Sequence, residues 1–171
     1  MLNHSEKECI SSVSYTHLRA HETVLDLVCR LLLVSCATKP QSDVDTPEYH
    51  FKAGMRAIEN EDYQQSITSF QRSIDLDSKF ALGYGGLGLA NAYLKNNKNA
   101  KDFASKCASR GSKDPDALSL SARVWITMRD SEKRWFKRSE DLLEKALKRD
   151  KDHEGSQYWF GVAYLLSLIH I

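Results

Sequence analysis

His17 and His21 stand at i and i+4 beside Glu22, a spacing that would place two imidazoles on one helical face as metal ligands. Gly83-Tyr84-Gly85-Gly86-Leu87-Gly88 has the glycine density of a phosphate-cradling loop, yet no strand pattern precedes it and the surrounding apolar spacing is helical. Its glycines are therefore read as points of close helix packing, each at about 1 kcal/mol of lost helix propensity relative to Ala. Trp135 and Phe136 lie among five basic residues in the stretch 129–138. Aromatics interleaved with cations can stack on bases or grip anionic lipid. The simpler reading is a turn whose rings fold back onto the domain while its charges stay solvated. No nucleophile elbow and no His-Glu-x-x-His motif occurs. His50 is assigned to packing or solvent on a first helix, and His153 to a charged turn. The expectation is a protein without catalysis, cofactor or metal.

Composition points the same way. A formal net charge of +1 with 27% charged residues creates no strong field for nucleic acid or an acidic surface, so no nucleic-acid partner is expected. Three prolines and eight glycines in 171 residues favour helices over loops. Cys9, Cys29, Cys36 and Cys107 contain no Cys-x-x-Cys pair, which argues against a disulfide framework. Cys107 falls at a small core position, where a buried inert thiol is expected.

The elements that would position these residues follow from one period. The step from Gly54 to Gly88 is repeated from Gly88 to Ala122. Ser66 and Ala100, Phe70 and Ala104, Ser73 and Cys107, and Ile74 and Ala108 keep the same step. A fixed period of about 34 residues marks stacked supersecondary units that share a core. Within the first unit, Phe51, Gly54, Met55 and Ile58, then Ile67, Phe70, Ser73, Ile74 and Asp77, fall at three- and four-residue intervals. They predict two amphipathic helices joined by a short polar turn at residues 59–63. The pair resembles the tetratricopeptide repeat: Gly54, Ser66, Phe70 and Ser73 stand for the family's small and aromatic positions, Asp62-Tyr63 for its turn, and Leu76-Asp77 for its close. Ser78 replaces the family's usual Pro.

The second copy keeps Tyr84, Leu87, Gly88, Ala100, Ala104, Cys107 and Ala108, with a turn at Asn96-Asn97-Lys98-Asn99 that lacks the aromatic residue. The third starts after Asp114-Pro115 and carries Ala122 and Trp125, then Ser139, Leu143, Ala146 and Leu147. The interval from Ala122 to Ser139 exceeds that from Gly54 to Ser66 by five positions, so an insertion of that length falls within 129–138. Gly161 follows Ala122 by one period lengthened by the same insertion. A fourth copy opens at Tyr158, Phe160, Gly161 and Tyr164, and the sequence stops before a second helix. The predicted fold is all-α, a right-handed superhelix of three helix pairs plus a truncated fourth, over 47–80, 81–114, 115–153 and 154–165. The repeat core is assigned to Gly54, Ser66, Phe70, Ser73, Gly88, Ala100, Ala104, Cys107, Ala122, Ser139, Leu143, Ala146 and Gly161. Phe160 and Tyr164 are expected to expose apolar surface, because terminal repeats normally need a polar cap.

Both ends read differently. Residues 13–18 and 166–171 back-translate to one DNA string in two frames, which resembles the transposase mosaic-end adapter of sequencing libraries. Residues 19–23 and 27–33 fit the adapter sequence that follows. Residues 1–35 are accordingly expected to be adapter-derived or a vestigial signal segment, and 166–171 an adapter-derived tail. That origin also accounts for His17 and His21. Residues 24–37 are apolar, but Asp26 and Arg30 interrupt them and they are too short to span a membrane. Leu33-Val34-Ser35-Cys36 resembles a bacterial lipobox, which implies acylation at Cys36, with residues 36–46 as anchor and polar tether. Ala37 after the cysteine resembles lipoproteins sent to the outer membrane. Several acyl chains anchor stably, since each buried CH₂ contributes about 0.8 kcal/mol.

The resemblance further implies that the first helix of each pair lines a concave groove for an extended peptide or partner helix. Here it draws on Phe51, Met55, Ile58, Glu59, Leu89, Tyr93, Arg123 and Ile126, of which Ile58 and Ile126 can equally serve the core. Phe51 and Met55 stand where the family's carboxylate clamp for chaperone tails has Lys and Asn. The expected function is a protein-interaction scaffold of the bacterial cell envelope, an outer-membrane lipoprotein facing the periplasm. The alternatives are a cytoplasmic adaptor of the same fold, or the substrate-presenting module of a longer enzyme.

Overall fold

The computed structural model describes residues 45–169. The readings made for His17, His21, Cys36 and the rest of 1–44 lie outside the described residues. Seven α-helices account for the described chain, which contains no strand: α1 Pro47–Glu59, α2 Tyr63–Leu76, α3 Ala81–Tyr93, α4 Asn97–Arg110, α5 Pro115–Thr127, α6 Trp135–Arg149 and α7 Glu154–Ile169.

Local chemistry sets the helix starts. Thr46 and Asp114 precede Pro47 and Pro115, whose fixed φ and missing N–H suit the first helical turn. Their side chains accept hydrogen bonds from the backbone N–H of Tyr49 and Asp116. Asp62 caps α2 by accepting from Gln65 N–H at 3.0 Å. The turns between paired helices repeat as well. Glu61 and Lys95, one period apart, are the non-glycine residues with positive φ among the described residues, at 60° and 62°. The second turn is tighter than the sequence suggests, because Asn97 already opens α4.

The helices α1, α3, α5 and α7 touch one another in sequence order, and α2, α4 and α6 each pack against the helix before and the helix after. The result is a solenoid of antiparallel pairs, as the period predicts. Ser66, Phe70, Ser73, Ala100, Ala104, Cys107, Ala122, Ser139, Leu143 and Ala146 are fully buried, and Gly54 and Gly88 are buried with them. The buried serines satisfy their hydroxyls on backbone carbonyls: Ser66 on Tyr63 and Ser139 on Phe136, both at 2.8 Å, and Ser73 across the pair on Pro47 at 2.8 Å.

Glycine places these helices as close as backbones permit. A Cβ on Gly54 would lie 2.5 Å from the Phe70 ring, and one on Gly86 would lie 2.4 Å from it. Phe70 therefore fills a slot whose two walls are bare backbone. A Cβ on Gly85 would meet Leu120 Cδ2 at 2.5 Å. The glycine run of α3 is thus a packing surface for α2 and α5, and every residue from Gly83 to Ala92 is buried.

Cys107 is buried against α5, its thiol donating to the Ala117 carbonyl at 3.2 Å. Burial first, and then the charge of Asp114, push its pKa up to about 12. We expect no reaction of Cys107 in the native protein with a thiol reagent at pH 8 and full reaction at this position in denaturant. Rapid native modification, scored by mass spectrometry of the Cys107 peptide, would contradict the packing. The linkage follows in sign. The folded state holds the proton more tightly, so the contribution is complete below the ordinary thiol range and is lost as pH rises from about 9 toward 12.

The start of α6 builds a second, smaller core with α5 and α7. Trp135 is buried with Ile126 and Ala163, and Phe136, Trp159, Val162 and Leu166 pack around them. Glu132 forms an ion pair with Lys101 of α4, and that contact chiefly lowers its carboxyl pKa. Trp135 and Phe136 fold back on the solenoid as expected, but from the first turn of α6 and not from a turn between helices. Arg138 adds a cation–π contact on Trp125, 5.6 Å from the ring centroid.

Gly161 departs from the expectation. It is exposed, and a Cβ there would meet nothing within 4 Å, because no second helix among the described residues comes against α7. Tyr164 is exposed as expected, its hydroxyl donating to Glu140 Oε1 at 2.8 Å, whereas Phe160 is half-buried. Residues 166–169 continue α7, with Leu166 against the second core and Leu168 and Ile169 exposed.

Candidate functional site

The inner row of helices carries a recess of about 310 Å³ lined by Phe51, Leu82, Asp116, Ser119, Leu120, Arg123, Gly155 and Trp159. It draws on all four inner helices, since these residues come from α1, α3, α5 and α7 in turn. Phe51 joins the recess to the main core, tilted against Phe70 at 5.7 Å and edge-on to Phe80 at 6.0 Å. Phe51, Leu82 and Leu120 form an apolar end. Asp116, Ser119 and Arg123 bring polarity to the other, with Trp159 as its aromatic wall.

Asp116 and Arg123 are each positioned by a neighbour. His153 Nδ1 accepts the Ser156 backbone N–H at 3.1 Å, which leaves the proton on Nε2 to face Asp116 Oδ1 at 3.1 Å. Asp116 is thereby held from the α6–α7 turn. The Arg123 guanidinium sits 5.0 Å from the Trp159 ring centroid, and its Nε is buried without a hydrogen-bond partner among the described residues.

The sequence-based groove set divides in three. Phe51 and Arg123 line the recess. Met55 is half-buried against the main core, Glu59 is exposed, and Tyr93 is exposed and stacked on Tyr63 at 5.1 Å and 11° between planes. Ile58, Leu89 and Ile126 are core residues, Leu89 completely buried. For Leu89 and Ile126 the reason is geometric: α3 and α5 are each flanked by two inner neighbours and two outer helices, which leaves only a narrow stripe free.

Leu82, Asp116, Ser119, Leu120, Gly155 and Trp159 were missed, although the register contained them. Leu82 and Asp116 are one period apart, and Gly155 follows Asp116 by the same lengthened period that separates Ala122 from Gly161. Leu120 and Trp159 are related by that lengthened step too. One position supplies a leucine, an aspartate and a glycine in successive copies, so residue type gave no signal where position did.

A second recess, about 420 Å³, is lined by Ser112, Lys145, Lys148 and Arg149. Its cations sit at the carboxyl end of α6, where the helix dipole favours positive charge, and Lys148 is paired with Glu144 at 3.7 Å. That arrangement is accounted for by helix stability. Among the described residues no three His, Cys, Asp or Glu converge as a metal site, and no helix is long and apolar enough to cross a membrane.

No protein-family model matches the chain, and no curated protein matches it in sequence. Solved structures do resemble it. The first tetratricopeptide domain of Spaghetti (RPAP3), bound to an HSP90 peptide, superposes with a TM-score of 0.52 at 11% identity, covering 71% of this chain and 93% of that one. The tetratricopeptide domain of Arabidopsis OM64 gives 0.52 at 16% identity, covering 73% and 96%. The chain has the tetratricopeptide-repeat fold.

Proposed function

We propose that this protein is an interaction scaffold that lays an extended segment of a partner protein along α1, α3, α5 and α7. The observation that carries the reading is the recess lined by Phe51, Leu82, Arg123 and Trp159, because it draws on all four inner helices and combines apolar wall with a few polar groups. That is the composition of a recognition groove. The peptide-bound state of the RPAP3 domain supports it by analogy of fold. We further propose that the scaffold belongs to the bacterial envelope, tethered through an acylated Cys36 with residues 37–46 as spacer. The support for the tether is the sequence Leu33-Val34-Ser35-Cys36 alone.

A photo-crosslinking amino acid at Ser119, inside the groove, should capture a partner protein in cells, while the same group at Ser105 on the outer helix α4 should not. Equal capture at both positions, or none at Ser119, rejects the groove. In the same cells, labelled palmitate should enter the protein and be lost in Cys36→Ser. Absence of label removes the envelope assignment and leaves the scaffold reading in place.

A further inference from the structure

Among the described residues Arg123 is the one basic side chain lining the groove recess, and its own chain leaves it incompletely satisfied. The carboxylate in the lining set, Asp116, accepts from His153 through Oδ1 and makes no ion pair with Arg123. Trp159 holds the guanidinium plane by a cation–π contact without offering an acceptor in the plane of its N–H groups. A buried donor on a cation left without an acceptor is costly, and the side-on edge of a guanidinium formed by Nε and one Nη matches the two oxygens of a carboxylate.

Resting on the groove reading above, we propose that the recess recognises an acidic side chain, Glu or Asp, within an extended segment of the partner, flanked by an apolar side chain. The carboxylate pairs with Arg123 and draws the guanidinium outward, which relieves the burial of Nε. The apolar neighbour lies on Phe51, Leu82 and Leu120. A side chain, not a chain terminus, is the source, because the recess has lining on both sides of α5, with Phe51 and Leu82 from α1 and α3 on one side of Arg123 and Gly155 and Trp159 from α7 on the other.

The test is selection of internal twelve-residue peptides from a random library on the full chain, followed by affinity measurement with both termini of the peptide blocked. We expect selected sequences to share an acidic residue next to an aliphatic one. Binding should fall at least about tenfold in Arg123→Gln, and an acid-to-amide change in the peptide should cost nothing further in that variant. Circular dichroism melts of Arg123→Gln at the wild-type temperature separate lost recognition from lost fold. Leu82→Glu reports on the groove itself. Peptides that need Leu82 but show no acidic preference and bind Arg123→Gln equally well overturn this inference and leave the groove standing. Peptides that bind only with a free carboxyl terminus also overturn it. Selection of nothing, or of peptides indifferent to Leu82→Glu, rejects the groove and this inference together.

Discussion

Replacing Phe70 with Ala lowers the stability of the domain by about 3 to 5 kcal/mol, read from the shift in urea midpoint at unchanged slope. The ring is fully buried and lies between two glycines on different helices, Gly54 of α1 and Gly86 of α3. Neither wall has a side chain that can move into the vacated space, so the cavity cannot collapse without shifting a helix. That places the expected loss in the upper part of the large-to-small range. The same geometry makes a sharper claim about Gly86. In the wild-type protein Gly86→Ala puts a methyl group into the ring and should cost about 1 to 3 kcal/mol. Once Phe70 is Ala, the clash is gone, and Gly86→Ala should stabilise by up to about 1 kcal/mol through helix propensity and by filling part of the void. The reversal of sign in this double-mutant cycle is the diagnostic. A loss under about 1 kcal/mol for Phe70→Ala, or strict additivity of the two changes, would falsify the slot.

The slot also shows why so much of the fold was legible. Two helices can approach this closely only where side chains are absent or minimal, so small residues at Gly54, Gly88 and Ala122, and at Ser66, Ala100 and Ser139, are demanded by backbone distance and must recur with the unit. Even the insertion left the register intact, because it lies between two helices and does not change how either one packs. The groove carries no such demand. Its residues line an open recess, so Leu82, Asp116 and Gly155 share one repeat position and have nothing else in common. Leu89 was misassigned for a related reason, and Ile58 and Ile126, left open between groove and core, fall to the core. Helical periodicity tells which face of a helix is apolar, but an inner helix is covered on several sides, and periodicity alone does not say which apolar stripe is left open. Gly161 shows the limit of the period. The residue type recurs on schedule, yet its meaning depends on a neighbouring helix that the described chain does not supply.

Trp135→Ala should cost about 3 to 5 kcal/mol locally, and its effect should be confined to one end of the molecule. Trp135 opens α6 directly after the lengthened connection from α5, and its cluster with Ile126 and Ala163 is separate from the main core around Phe70 and Leu89. In a solenoid each unit depends on its neighbours, so loss of one interface opens the end beyond it before the middle yields. Hydrogen exchange measured by mass spectrometry should therefore show α7 amides losing most of their protection in Trp135→Ala, while α3 amides keep theirs. Uniform loss along the chain would mean that the two cores are one cooperative unit, and unchanged protection in α7 would mean that Trp135 does not hold it. The consequence reaches the groove, because Trp159 belongs to both the second core and the recess wall. Freeing α7 removes the aromatic face against which Arg123 rests at 5.0 Å, so peptide affinity should fall in Trp135→Ala although this residue does not line the recess. The first turn of α6 would then fix one wall of the recess, and restoring the order of α7 should restore the affinity with it.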